Sequence, residues 1–448
     1  MSKKVWKSQF ESLPHGSGAI APFQDGERIL FLGDSITHNG DFIRWTQYLH
    51  HLRYPGTPLF LNAGVAGGSA GGGLTRLPWD VLSRKPERVF IMFGMNDLSI
   101  GLYKDGGNEM TPERLEPLEN YRKNLEKLCD IFQEENCKTV LVTPTPYDQY
   151  DEGNPSTYNE AALSAGAKIV REIAEKRGLE LVDFHAPLTE LMKKRPVPTP
   201  MRGDHIHPNV LGQLLMAYYF WKEIKMDAVS GVCTVNAASG KAETPEFVQI
   251  SEFQKNSKGI SFRYSPGKLP FITDTKQHKG IDSLVPFTKE FNMELLQIKD
   301  LPSGKYTLLA GSRKIGSFDA ETLAKGINLA LMNTPAFYQA QKGFQILKTI
   351  RLCQSKLRNI AQIDCIVESR NGDIASDDSC IKTIDEWYNW RFKAGPVDHY
   401  SKYYKVVIST YKRNKRAKNE IKAQLEKATA KLRRECLMVS YMIELRKK

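Results

Sequence analysis

From Arg28 to about Lys225 the chain alternates short, almost wholly apolar runs with longer amphipathic stretches, and few folds accept that pattern. The apolar runs cover 28–32, 59–62, 88–93, 139–142 and 181–184. A strand with one face in water alternates apolar and polar residues. Runs that do not alternate must be covered on both faces, as in a parallel sheet between two helix layers. The stretches 42–52, 74–83, 112–135, 158–177 and 208–225 carry the longer period expected of those covering helices. In such sheets the chemistry collects beyond the carboxyl ends of the strands.

Two polar islands fall at those positions, Gly33-Asp34-Ser35 and Gly94-Met95-Asn96-Asp97, and a third, Asp204-His205-Ile206-His207-Pro208, opens the final helix. Ser35 follows a strand and precedes a helix. Taken singly, Ser35 or Asp34 reads more readily as a helix cap. Asp204 and His207 lie three apart at the entrance to the last helix, a spacing at which a carboxylate can fix the tautomer of a nearby ring. His207 can then take a proton from Ser35 and return it to a leaving group. Asp204, His205 and His207 also allow a metal reading, although no further cluster with ligand spacing accompanies them. The turn Asn62-Ala63-Gly64-Val65-Ala66-Gly67-Gly68-Ser69 lets backbone N–H groups approach a substrate. Asn96 offers a side-chain N–H, and a developing oxyanion needs two or three such donors fixed in advance.

In this order the islands resemble the four blocks of the SGNH (GDSL-type) hydrolase family, over about residues 28–225. The resemblance implies a flavodoxin-like three-layer α/β/α domain. It makes Ser35 the nucleophile, His207 the base and Asp204 its orienter. The oxyanion hole would be the Ser35 N–H, the Gly67 N–H and the Asn96 side chain, with Gly64 the less favoured donor in the same turn. No metal or organic cofactor is expected. A competing pattern, Gly67-Gly68-Ser69-Ala70-Gly71, satisfies the nucleophile elbow of α/β-hydrolases, with Ser69 as nucleophile. It leaves Ser35 without a role, and the three-residue spacing of Asp204 and His207 is foreign to that fold.

The expected reaction is hydrolysis of a short-chain, acetyl-type ester on a carbohydrate or similar bulky substrate. Lysophospholipase, thioesterase and acyl-transfer chemistry use the same residues. The domain expectation is an N-terminal extension over 1–27, the hydrolase domain over 28–226, a small β-sheet or sandwich domain over 246–318, and a helical region over 319–448. Between them, 227–245 reads as a linker. Strand-like runs lie at 259–264, 294–298 and 306–310, helices at 321–332 and 338–354, and a last long helix at 415–444.

Charge separates these regions. Residues 401–448 hold fifteen Lys or Arg and four Glu, so nearly all of the net charge of +12 sits there. A basic helix of that kind suits an anionic polymer as partner, or is a solvated face. A binding protein for such a polymer is thus the alternative from outside enzymology. Seven scattered cysteines without a C-x-x-C argue against a disulfide framework or a zinc knuckle. Met1 to Gly18 lacks the apolar core of a signal peptide, so the chain reads as cytoplasmic if Met1 is native, and as secreted or periplasmic if a signal has been trimmed.

Overall fold

The structure, a computed structural model, describes residues 20–103, 109–150, 160–224, 226, 229–243, 245–274, 276–392, 395, 398–437 and 439–448. Most of the expected N-terminal extension, and the start of the helix expected from 158, lie outside the described residues.

The first sheet is built from β1 (Arg28–Gly33), β2 (Leu59–Gly64), β3 (Arg88–Met92), β4 (Lys138–Val142) and β5 (Glu180–Val182). All its pairings are parallel, in the order β2-β1-β3-β4-β5. The helices that cover it are α1 (Ser35–Asn39), α2 (Asp41–Arg53), α3 (Ala70–Thr75), α4 (Pro112–Glu134), α5 (Ala161–Arg177), α6 (His185–Met192) and α7 (Val210–Glu223). Phe31 and Phe90 stack at 4.9 Å on neighbouring strands, and Phe220 of α7 closes over Phe90 at 5.0 Å. This α/β sandwich is the architecture that the alternating pattern demands.

Helix α2 departs from the usual surface helix, because all thirteen of its residues are buried. Its outer side is covered by the rest of the chain. Trp45 stacks on Phe344 at 5.9 Å, the Tyr48 hydroxyl donates to the Ala340 carbonyl at 2.7 Å, and Arg53 donates to the carbonyls of Leu269 and Phe291.

The covering part begins with β6 (Val229–Asn236), β7 (Val248–Asn256) and β8 (Gly259–Pro266), followed by the short α8 (Ile281–Leu284) and α9 (Phe287–Phe291). Next come β9 (Met293–Lys299), β10 (Lys305–Ala310), β11 (Arg313–Asp319), α10 (Ala320–Lys325) and β12 (Ile327–Asn328). It ends with α11 (Pro335–Ser369), α12 (Asp377–Phe392), α13 (His399–Arg416), α14 (Lys418–Glu435) and β13 (Tyr441–Lys447). Two further sheets result, ordered β11-β10-β13-β8-β7 and β12-β9-β6.

Several local expectations differ. The segment read as a linker contains β6, whose run of seven buried residues pairs in parallel with β9. The helix expected over 321–332 stops at Lys325, because Gly326 has φ +104° and the chain turns into β12. The last helix ends at Glu435 rather than 444. Residues 441–447 have the alternating burial of a strand, and β13 inserts between β10 and β8 in the middle of their sheet. The helix expected over 74–83 is broken. A π-turn (Leu77–Val81) and a 3-10 turn (Leu82–Arg84) follow α3, with Pro78 unable to continue the ladder of hydrogen bonds.

Candidate active site

Ser35 opens α1 directly beyond β1. Asp34 caps that helix by accepting the Ile36 N–H at 2.9 Å. Gly33 is demanded by close approach, since a Cβ there would meet Thr37 Oγ1 at 2.2 Å and the Met92 carbonyl at 2.5 Å. The loop that carries Asp204 and His207 precedes α7 and brings the ring back to β1. Ser35 Oγ lies 2.8 Å from His207 Nε2, and His207 Nδ1 lies 2.8 Å from Asp204 Oδ2.

Burial pushes the Asp204 carboxyl up, but the His207 N–H and ring and the Ile206 N–H outweigh it and hold it below the usual carboxylate range. A charged carboxylate accepts, so Nδ1 carries the ring proton and Nε2 is left as acceptor for the Ser35 hydroxyl. Asp204 accepts the Ile206 and His207 N–H groups with Oδ1, which leaves Oδ2 for the ring.

Beyond β2, Gly67 takes φ +74° with nothing within 4 Å of its absent side chain. Among the described residues no acceptor is present for the N–H groups of Ser35 and Gly67. Asn96 spends one N–H on the Gly68 carbonyl at 2.9 Å, which turns its amide to the same loop and leaves a second N–H. Both N–H groups and the Asn96 amide thus belong to loops at adjoining strand ends.

The loops are locked by residues to which sequence reading gave no task. Asp97 accepts the Ala70 N–H at 2.8 Å and the Gly94 N–H at 3.0 Å, and so ties the glycine turn to the Asn96 turn. Its presence in the Gly94-Met95-Asn96-Asp97 block was the available signal. Burial raises Asp97 to about 6, against the pull of those two N–H groups. It raises the fully buried Asp34 to about 7, with the nearby Asp97 adding to the shift. Asn62 donates to the Thr37 carbonyl at 2.7 Å and accepts the Gly64 N–H at 2.8 Å, which joins α1 to the glycine turn. His38 Nδ1 accepts the Ala66 N–H at 3.3 Å. Burial, helped by Arg358 and Arg76, lowers that ring to about 3, so it stays neutral.

A second layer lies behind these loops. Arg76 and Arg84 flank the buried Asp80 at i ± 4, and both bond its carboxylate. Arg358 arrives from α11 and takes the same carboxylate through two nitrogens at 2.9 and 2.6 Å. It also donates to the carbonyls of Gly64 (2.9 Å) and Asn62 (3.0 Å), while Arg76 donates to the Gly33 carbonyl at 3.2 Å. The strand ends that carry Ser35 and the glycine turn therefore rest on arginines. Nothing in the sequence around position 358 signals this.

Ser69 and His205, named in the competing sequence readings, have other surroundings. Ser69 Oγ accepts the Gly72 N–H and caps α3. The His205 ring is buried near Tyr147, and among the described residues no group of three His, Cys, Asp or Glu is placed to hold a metal.

Comparisons with known proteins concern the fold and the family. Residues 31–215 match the model of the GDSL-like lipase/acylhydrolase family. An acetylxylan esterase of Geobacillus stearothermophilus is 26% identical over 220 residues, 46% of this chain and 96% of that protein. An uncharacterised lipoprotein of Bacillus subtilis is 28% identical over 35% of this chain and 70% of its own length. A solved structure described as a gut microbial diltiazem-metabolizing enzyme is 27% identical with a TM-score of 0.87, matching 96% of this chain and 100% of that one. That likeness extends through the appended sheets and helices, whereas the acetylxylan esterase matches a length close to that of the hydrolase domain. Residues 31–215 thus form a GDSL-like lipase/acylhydrolase domain, and the similarity to esterases of that kind supports a carboxylic ester hydrolase.

Proposed function

We propose that Ser35, His207 and Asp204 are the catalytic residues and that the physiological reaction is removal of a short acyl group, acetyl above all, from a bulky, carbohydrate-like alcohol. The observation that carries this reading is the unbroken relay from Ser35 Oγ through His207 to Asp204, with both links at 2.8 Å. Ser35 Oγ attacks the ester carbonyl carbon as its proton passes to Nε2. The carbonyl oxygen becomes an oxyanion that accepts from the Ser35 N–H, the Gly67 N–H and Asn96 Nδ2. Collapse breaks the bond to the alcohol, which leaves with the proton from Nε2. Water then gives its proton to Nε2 and attacks the acyl-enzyme, and the carboxylic acid is released as Ser35 recovers its proton.

Two observations support a bulky leaving group. Asn96 and Gly67 are exposed and the Asp204–His207 pair is only partly covered, so the scissile bond sits at a shallow surface. The relative from Geobacillus stearothermophilus is named for action on acetylated xylan. Lipase-like, thioesterase and acyl-transfer reactions would use the same three residues and are separated by products. An anionic polymer along a basic tail has less in its favour, because the tail is divided. Lys415 is buried against Asp364, Lys412 faces Asp385, and the last basic residues belong to β13.

The test is hydrolysis of p-nitrophenyl acetate and butyrate, and of acetylated xylo-oligosaccharides, by the wild type and by Ser35→Ala and Asn96→Ala. Ser35→Ala should lose at least about 10⁴-fold in kcat with an unchanged circular-dichroism spectrum, and Asn96→Ala about 10²- to 10³-fold. Full activity in Ser35→Ala would assign the nucleophile elsewhere. Preference for butyrate over acetate would sink the short-acyl reading.

A further inference from the structure

A cavity of about 700 Å³ lies between the free edge of β2, the turn that carries Trp79 and Arg84, and helices α11 and α14. Neither Ser35 nor His207 lines it. Its walls carry six cationic side chains, Arg28, Arg84, Arg358, Lys418, Lys422 and Arg433, against two carboxylates, Asp80 and Glu426. Some of that charge is matched nearby, since Arg28 faces Glu87 at 3.7 Å and Lys418 faces Asp364 at 3.6 Å. The remainder is matched only in part. Asp80 is one carboxylate shared among Arg76, Arg84 and Arg358. Among the described residues Lys422 has no carboxylate within ion-pair distance, and the buried Nε of Arg433 has no acceptor. Lys422 is exposed and free to meet a ligand, whereas the unbonded Arg433 Nε is buried and leaves a donor that an acceptor would satisfy.

The contacts set the polarity of the cavity. Lys418 meets Asp364 at one end of the α11–α14 pair, and Gln339 meets the Glu435 carbonyl at the other, so the two helices are antiparallel. Arg358 therefore lies near the level of Lys422, while Arg433 marks the far end, where it donates to the Thr57 carbonyl. Between the ends the lining turns apolar, with Leu357, Leu425 and Leu59. The alternation of β2 adds a donor. Leu59 N–H bonds inward to Glu27, and the Asn62 carbonyl bonds outward to Arg84 and Arg358, so the same parity turns the Phe60 N–H outward.

We propose that this cavity is a second ligand site, for a small amphipathic anion. One carboxylate, sulfonate or phosphate group sits at the Lys418–Lys422 end, and an apolar or aromatic body runs along Leu357, Leu425 and Leu59.

Two fluorescent probes that differ by a sulfonate test this on the full chain: 8-anilinonaphthalene-1-sulfonate and its neutral analogue N-phenyl-1-naphthylamine. The wild type should bind the sulfonate at one saturable site, at least tenfold tighter than the neutral probe. Lys422→Glu changes an unpaired side chain, so the fold should survive, as checked by circular dichroism. It should weaken the sulfonate at least tenfold and leave the neutral probe unaffected. Ala430→Trp, at an exposed position on the wall, should fill the space and weaken both probes. The proposal is overturned if the sulfonate does not saturate, if the neutral probe binds as tightly, or if both variants bind the sulfonate like the wild type.

Discussion

Two polar clusters stand at the carboxyl ends of the same strands, and they are built on opposite plans. The Ser35 cluster is open: its serine is half-buried, its histidine and aspartate are partly exposed, and two N–H groups and half an amide lack acceptors among the described residues. The Asp80 cluster is closed. Asp80, Arg76 and Arg358 are each under 5% exposed, and each donates or accepts several bonds. The open cluster retains hydrogen-bonding capacity, which the proposed reaction would spend on a transition state. The closed one spends its capacity on holding the strand ends still. Catalysis gains from donors fixed in advance, and fixing them takes a layer that is itself fully bonded.

The largest effect expected from this contrast is on stability. Asp80→Asn keeps the shape but leaves three arginines facing a neutral amide, and breaking a buried ion cluster in this way costs about 3–5 kcal/mol. Burial pushes this carboxyl up, yet Arg358, Arg84 and Arg76 hold it well below the usual range, as expected of a carboxylate bound by its partners. The midpoint of urea unfolding, followed by tryptophan fluorescence, should fall accordingly. An unchanged midpoint would mean that the cluster is solvated and that the two plans do not differ.

Next in size is the link between the clusters. Arg358→Lys keeps the positive charge but cannot reproduce the fork that reaches Asp80 and the carbonyls of Asn62 and Gly64 together. If Arg358 positions the glycine turn, kcat on p-nitrophenyl acetate should fall about 10- to 100-fold, or about 1.4–2.7 kcal/mol of barrier, with KM little changed. A purely structural role would lower the unfolding midpoint and leave kcat of the folded enzyme intact.

The two clusters also differ in how far they can be read from sequence. Ser35, Asn96, Asp204 and His207 sit in short islands whose residue types and order are tied to strand ends, so the open site is legible in the amino-acid sequence itself. Asp80 and Arg358 are 278 positions apart and follow no motif. Their pairing depends on α11 lying over α2 and β2, a tertiary fact that periodicity does not encode. The first sheet is legible because burial on both faces leaves apolar runs. The central place of β13 is not, because its basic end extends the charge pattern of the preceding helix, and strand pairing is decided by partners far along the chain.

The last effect concerns pH, where the open cluster bears a cost that the closed one avoids. Asp34 caps α1, a contribution of about 1 kcal/mol that Asn supplies equally well. Burial, together with Asp97, raises its carboxyl to about 7. A group raised on folding favours the folded state at low pH, and that advantage is lost as pH rises from the ordinary carboxylate range through 7. Asp97, raised to about 6, acts in the same direction. Asp34→Asn should therefore match the wild type at pH 4 and exceed it at pH 8, by about 1–3 kcal/mol, because the variant has no charge to bury. Urea unfolding at both pH values measures the difference. A variant less stable than the wild type at pH 8 would mean that the carboxylate finds compensation in the folded state, and the open site would then resemble the Asp80 cluster more closely than its exposed atoms indicate.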